Sequence, residues 1–282
     1  MPITAAIFDL DDTLYLERDY VRSGYAAVAE YLDKRAEKRG LRPISSAKSV
    51  SVPDFPGRQT WRQTTSPCHP YAQWLWSRFQ RGQAAGAFDD LNSHFSLGLA
   101  KADITELVKV YREHRPTIRP IPGIPELLAR LRPEFALGLL ADGFLPAQRL
   151  KLAALGLERF FDAVVFTEDL GRDAWKPSPA GFEKIGMDPI FLGGTPKSAW
   201  GCPVVEGPTE RHPQADLGVP QEFFAYISDN PSKDFLAPNR LGWRTIQWLY
   251  PGQVHAHLPA PEGGGPQFIA RLPGEVIEIL RH

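Results

Sequence analysis

Short, wholly apolar runs alternate along this chain with longer stretches of helical spacing. Ala5-Ala6-Ile7-Phe8 is the first run. It is too short for a helix and lacks polar alternation, the pattern of a strand buried on both faces. Residues 135–140, 163–166, 223–227 and 244–249 supply four more strands. Between them, apolar residues recur at helical spacing. In 17–38 these are Val21, Tyr25, Val28, Ala29 and Leu32, with Gly40 as the stop signal. From residue 71, Tyr71, Trp74, Leu75, Arg78 and Phe79 share one face; 104–114 carries Leu107, Val108 and Tyr111. Further helices are read over 125–131, over 146–155 with Gly156 as C-cap, and over 180–185. The tail, 275–280, reads as a docked helix or a short strand. Strands that alternate with helices predict an α/β fold, a doubly wound parallel sheet with helices on both faces.

The helical stretch 16–118 falls between the first strand and all the others. It divides the chain into an α/β core domain, 1–15 and 119–282, and an inserted helical domain. Two segments break the pattern. Residues 41–70, rich in Pro and Ser, read as an irregular stretch within the helical domain. Residues 187–213, with Gly193-Gly194 and Gly201-Cys202-Pro203, read as an excursion within the core. The aromatic face beginning at Tyr71 reads as the core of the helical domain, with an aromatic substrate wall as the alternative.

Composition narrows the function classes. At 43% hydrophobic and 23% charged, the chain has ample material for a core. A net charge of −1 argues against nucleic acid or an anionic membrane as the main partner. No apolar run approaches the roughly 18 residues of a membrane span. The N-terminus lacks a signal-peptide pattern, and two distant cysteines, Cys68 and Cys202, make no disulfide framework, so the expected location is cytoplasmic.

Candidate chemistry collects where the strands end: Asp9 and Asp11 after the first, Asp142 after the second, Lys176 after the third, Asp229 and Asp234 after the fourth. In a parallel sheet these ends share one edge, where open α/β sheets hold ligands. Asp9 and Asp11 point the same way in extended chain. Two such carboxylates repel, so one must be protonated or a cation must lie between them. Hard oxygen ligands without a nearby Cys or His favour Mg²⁺. The plainer alternative is a surface acidic turn, with Asp12 or Thr13 capping the next helix. Carboxylates with one lysine suit a metal and a phosphate together; alternatively Lys176 is a solvated loop residue, although Pro177-Ser178-Pro179 favours a rigid placement. Arg18, Tyr20 and Arg22 either face the crevice or begin a solvated helix. Cys202, Glu206, Glu210 and His212 match no zinc spacing, and Cys68-His69 reads as a loop pair.

In this order the motifs resemble the haloacid dehalogenase (HAD) superfamily, in its capped phosphatase branch (phosphoglycolate phosphatase-like). They are Asp9-Leu10-Asp11-Asp12-Thr13, Ala141-Asp142-Gly143, Trp175-Lys176-Pro177-Ser178-Pro179 and Ser228-Asp229-Asn230-Pro231-Ser232-Lys233-Asp234. The resemblance implies a Rossmann-like core with 16–118 as cap domain. It implies a Mg²⁺-dependent phosphomonoester hydrolase acting on a small phosphorylated metabolite through an aspartyl-phosphate. Asp9 would be the nucleophile, Asp11 the acid and then base, and Lys176 the counter-charge. Mg²⁺ would be held by Asp9, the main-chain carbonyl of Asp11 and Asp229, with Asp234 supporting that set, or orienting Lys176, from behind. Phosphate would meet Lys176 and the backbone of Ala141, Asp142 and Gly143. Asp11 also favours phosphoryl transfer over metal-free dehalogenation. One position departs from the pattern: Ala141 stands where the family usually has Thr or Ser. A missing neutral hydrogen bond is worth about 1–2 kcal/mol, roughly ten- to thirtyfold in rate. Ser228, where many members have Gly, is a lesser change. The alternative function is a low-activity or non-catalytic HAD-like protein that binds a phosphorylated ligand or a protein partner. Homo-oligomerisation is left open.

Overall fold

A computed structural model of the chain describes residues 3–44, 69–192 and 223–282. Among the described residues six strands form one sheet in the order β3-β2-β1-β4-β5-β6. They are β1 (Ala5–Phe8), β2 (Ala136–Ala141), β3 (Ala163–Phe166), β4 (Phe224–Ser228), β5 (Arg244–Trp248) and β6 (Phe268–Ala270). Every neighbouring pair is parallel; Ala5 is in register with Ala136 on one side and with Phe224 on the other. The chain winds outward from β1 through β2 to β3, then crosses back to place β4 on the other flank of β1. The strand order therefore reverses between β1 and β4, and a parallel sheet opens a crevice outside the strand ends at such a point. This is the expected doubly wound α/β sheet, enlarged by β6. That strand has only three residues, too few for its Phe268-Ile269-Ala270 to stand out as a pattern.

The helices are α1 (Glu17–Lys38), α2 (Pro70–Gln80), α3 (Ala87–His94), α4 (Lys101–Glu113), α5 (Ile124–Leu131), α6 (Ala147–Leu155), α7 (Ala180–Gly186), α8 (Pro189–Leu192), α9 (Leu236–Arg240) and α10 (Pro273–Arg281). The chain divides into two compact units, one comprising the residues up to Arg18 with Ile118–His282, the other Asp19–Thr117.

In the sheet-bearing unit, Ile7, Leu140, Phe182, Ile185, Phe224, Phe235 and Trp243 form a buried cluster. Gly138 lies inside it: a Cβ there would stand 2.6 Å from Ile7 Cδ1 and 2.9 Å from Ile185 Cδ1. In the helical unit, Val21, Tyr25, Val28, Leu32, Tyr71, Leu75, Leu91 and Leu107 are buried together, with Trp74, Trp76 and Phe79 packed against them. Trp74 stacks on His94 at 4.9 Å. The aromatic face of α2 is thus turned to the unit's own core.

Three corrections apply to the elements expected from sequence. Helices α3 and α9, eight and five residues long, were too short to register as periodic. The tail is a helix, α10, which buries Val276, Ile277 and Leu280. Residues 187–213 are not irregular from the outset, because α8 occupies Pro189–Leu192 and Phe191 joins the core. The rest of that excursion, with Cys202, Glu206, Glu210 and His212, lies outside the described residues, as does 45–68 with Cys68. Among the described residues no helix is long and apolar enough to cross a membrane.

Candidate active site

Asp9 follows β1 and continues its ladder, its N–H donating to the Ile227 carbonyl at 2.9 Å. The side chain is buried at the edge where the strand order reverses. Lys176, brought by the segment after β3, meets it there. Its Nζ donates to Asp9 Oδ1 at 2.6 Å and to the Tyr226 hydroxyl at 2.8 Å, and lies 2.9 Å from Asp234 Oδ1. The Lys176 side chain is 1% exposed. A buried ammonium is tolerated only where its donors are matched by acceptors of opposite charge. Here burial works to lower the Lys176 pKa, but the Asp234 and Asp9 charges win and hold it well above the usual range. The other Asp9 oxygen is only loosely held, accepting from Thr13 Oγ1 at 3.4 Å. Burial pushes the Asp9 carboxyl up to about 7 against the pull of Lys176.

Asp234 is fixed from two sides. Its Oδ2 accepts from Ser228 Oγ at 2.7 Å and from the Asn230 N–H at 3.3 Å. Ser228 therefore orients Asp234. Burial would raise the Asp234 pKa, but Lys176, Lys233 and the Ser228 hydroxyl lower it.

The end of β2 places Ala141, Asp142 and Gly143 beside this cluster. Ala141 is buried and offers no hydroxyl. The Asp142 carboxylate binds protein: it accepts from Thr167 Oγ1 at 2.8 Å, from the Lys176 N–H at 3.1 Å and from Lys233 Nζ at 3.1 Å. Asp142 thus pins together the loops after β2, β3 and β4. Gly143 has φ +129°, a conformation that side chains rarely adopt.

Asp229 follows β4, on the other side of the reversal. Burial, with the Asp234, Asp9 and Asp12 charges, pushes its carboxyl up to about 10, opposed by Lys176. Its Oδ2 is buried without a hydrogen-bond partner. An orphaned buried carboxylate oxygen beside other carboxylates fits a divalent cation, whose charge would replace the missing donor. Among the described residues no group of three or more His, Cys, Asp or Glu side chains is arranged to hold a metal. The carboxylate oxygens open to such an ion are Asp229 Oδ2, which has no partner, and Asp9 Oδ2, held only by the 3.4 Å Thr13 contact.

Asp11 differs from the simple expectation that its charge and that of Asp9 share one cation. Its Oδ2 accepts from Gln148 Nε2 at 2.8 Å and its Oδ1 from Lys151 Nζ at 2.8 Å, while the Tyr15 hydroxyl donates to Oδ1 as well. Burial works to raise its pKa, but the Lys151 charge and these hydrogen bonds hold the carboxyl below the usual range. Asp12 is the residue that serves the next helix. At φ 54°, a left-handed conformation that Asp tolerates, its carboxylate accepts from the Glu17 N–H at 2.8 Å and the Val254 N–H at 2.6 Å. It does so buried, at 1% exposure, with burial raising its pKa to about 6. The capping alternative thus holds for Asp12 without making the turn a surface feature.

Of the other residues singled out in sequence, Arg18 donates to the Gly252 carbonyl at 3.5 Å and Tyr20 is buried in its own unit, donating to the Tyr111 carbonyl at 3.2 Å. Arg22 lies over the Trp76 ring, 4.4 Å from its centroid. His69 caps α2, its Nδ1 accepting from the Tyr71 N–H at 3.2 Å.

Three polar residues of the site were missed, Tyr226, Gln148 and Lys151, and Lys233 was named within the fourth motif without a role. Tyr226 gave a faint signal, a hydroxyl in an otherwise apolar strand that must find a partner. Gln148 and Lys151, three apart in α6, are 2% and 6% exposed. A helix with two polar residues on its buried face was the available sign, but helical periodicity alone does not say which face is buried.

The chain and its fold match known proteins. The family model described as "Hydrolase: haloacid dehalogenase-like hydrolase" matches residues 3–186, and the chain belongs to that family of hydrolases. The "Glyceraldehyde 3-phosphate phosphatase" of Methanopyrus kandleri is 24% identical over 281 residues, covering 99% of this chain and 97% of that protein. Among solved structures, the HAD-hydrolase YfnB of Bacillus subtilis, bound to magnesium, is similar at TM-score 0.54 and 18% identity, with both chains fully covered. A 2-haloacid dehalogenase of Pseudomonas syringae is similar at TM-score 0.52 and 19% identity, covering 99% of this chain and 98% of its own. At these identities the two structures speak for the shared fold alone.

Proposed function

We propose that this hydrolase is a Mg²⁺-dependent phosphomonoesterase acting on a small phosphorylated metabolite through an aspartyl-phosphate on Asp9. The observation that carries the reading is the state of Asp9: one oxygen fixed by the buried Lys176, the other held only by a 3.4 Å contact. A carboxylate so oriented has a lone pair to give, and its counter-charge is already in place.

In the first step an Asp9 oxygen bonds to phosphorus as the bond from phosphorus to the ester oxygen breaks. The departing alkoxide takes a proton from the Asp11 carboxyl, which must be protonated for this step although Lys151 favours its ionised form at rest. In the second step water attacks phosphorus and gives a proton to Asp11, and the Asp9–phosphorus bond breaks. Phosphate leaves, and both carboxyls return to their starting states. Lys176 offsets the charge of Asp9 and of the phosphoryl group in both steps. Asp234, tied to Ser228, holds Lys176 in line. The backbone at Asp142 and Gly143 receives the phosphoryl group. Asp9, Asp229 and the Asp11 main-chain carbonyl would hold Mg²⁺, which when bound offsets phosphoryl charge and lets an anionic nucleophile approach. Residues 19–117 take the part of the cap that selects the leaving group.

The name of the Methanopyrus kandleri relative makes triose phosphates the first substrates to try. The test is phosphate release from a panel of sugar phosphates and phosphorylated acids, with Mg²⁺ and with chelator, using Asp9→Asn as control. Release that needs Mg²⁺ and vanishes in the control supports the reading; release that survives Asp9→Asn overturns it. The second reading, a slow or non-catalytic binder of a phosphorylated ligand or protein partner, rests on the Ala141 methyl in place of a hydroxyl. It gains if folded, Mg²⁺-binding protein releases nothing across the panel.

A further inference from the structure

Helix α6 carries two polar residues that folding would be expected to leave in water. Gln148 and Lys151 lie three apart, hence on one face, and both are buried. Burying a lysine amine is costly unless it meets a carboxylate. The carboxylate it meets is remote in sequence: Asp11, 140 residues away, with Gln148 reaching the same side chain across 137. Between them they engage both Asp11 oxygens, each at 2.8 Å. Gln148 Nε2 donates in addition to the Asp142 carbonyl, so one amide links the Asp11 carboxylate to the turn after β2. That turn is shaped to let it through, because a Cβ at Gly143 would lie 2.1 Å from Gln148 Nε2.

From this geometry we infer that Gln148 and Lys151 are positioning residues for proton transfer: they fix the Asp11 carboxylate so that it can serve the leaving group and then the attacking water. The inference rests on the phosphatase reading given above. Neither residue touches the reacting phosphorus in this account; each acts through Asp11. The competing role is purely structural, a polar tie between α6 and the loop after β1. The two roles differ in what a substitution does to the second step. A misplaced Asp11 cannot activate water, so the aspartyl-phosphate on Asp9 outlives its formation. An aryl phosphate, whose leaving group departs without a proton, still forms that intermediate.

The experiment uses the full chain with p-nitrophenyl phosphate and with an alkyl phosphate, followed from the first turnover. Lys151→Met keeps the length of the side chain and removes its charge. Gln148→Met leaves the Lys151–Asp11 pair intact and serves as the second variant should Lys151→Met not fold, as judged by circular dichroism. Loss of a positioned acid or base is expected to cost about 100-fold in kcat on the alkyl phosphate, with KM changed little. On p-nitrophenyl phosphate, Lys151→Met is expected to give a burst of one p-nitrophenol per protein followed by slow phosphate release. Gln148→Met is expected to show the same burst with a smaller fall in kcat. Folded variants that keep the wild-type kcat, or that lose only KM, overturn the inference and leave a structural tie. Turnover by the wild type that Asp9→Asn abolishes upholds the phosphatase reading whatever these variants do. A wild type with no turnover overturns both.

Discussion

Lys176→Met removes the ammonium paired directly with both Asp9 and Asp234, and its cost can be worked from the geometry. The lysine side chain and that of Asp234 are each 1% exposed and that of Asp9 is 8% exposed, so water cannot replace the lost charge. Breaking a buried pair by removing one partner costs about 3–5 kcal/mol. Two carboxylates are stranded here, which places the expected loss at about 4–5 kcal/mol. For a chain of this size that lowers the melting temperature of the sheet-bearing unit by about 8–20 °C. The loss depends on pH. The Asp9 carboxyl already titrates at about 7 with Lys176 beside it, and higher once that charge is gone. A carboxyl whose pKa is raised on folding binds its proton more tightly in the folded state. It therefore weakens the fold as pH rises from its unfolded value toward its folded one, and that penalty disappears on acidification. The deficit of the variant is thus expected to be smaller at about pH 5.5 than at about pH 8.5. Thermal melting of both proteins in chelator, at both pH values, measures this. A deficit below about 1 kcal/mol at either pH would mean that Lys176 is a solvated loop lysine, and would refute the reasoning.

Asp229→Asn puts a neutral amide in place of a carboxyl that burial and its neighbours push up to about 10, and so keep protonated near neutral pH without metal. The metal-free melting temperature is expected to hold or rise. Mg²⁺ at 100 times its Kd should stabilise the wild type by about 2.7 kcal/mol and the variant far less; calorimetric melting with and without Mg²⁺ decides. Ala141→Ser supplies the absent hydroxyl without the extra methyl that would overpack a fully buried position. A gain of roughly tenfold in kcat/KM is expected, read from phosphate release; no gain would show that another donor already serves there. Gly138→Ala drives a methyl against Ile7 and Ile185, and urea denaturation should show a loss of about 1–3 kcal/mol.

The sequence carried the five longer strands and the crevice edge because buried parallel strands are continuous apolar runs, and the residues that end them stand out by contrast. Asp9, Lys176, Asp229 and Asp234 were found this way, and the structure gathers them at the strand ends around the reversal between β1 and β4. Short elements escaped for a plain reason: three residues of β6 and five of α9 run for less than two periods of their patterns, too little for a repeat to show. The partners of Asp11 escaped for another. Lys151 looks like any helix-surface lysine until the tertiary fold turns its face inward. The role of Asp142 was also hidden, since nothing local says that a carboxylate at a strand end binds neighbouring loops through its side chain. Tyr226 was taken for apolar strand material because its hydroxyl partner lies 50 residues back in the chain.

The central claim is that Asp9 itself carries the phosphoryl group. The most direct test mixes the protein with Mg²⁺ and a turned-over phosphate ester, reduces the mixture with borohydride during turnover, and maps the peptides. An acyl phosphate is reduced to an alcohol, so the account predicts homoserine at position 9 and nowhere else. Turnover that leaves Asp9 unmodified, or that marks another carboxyl such as Asp11 or Asp229, would contradict it.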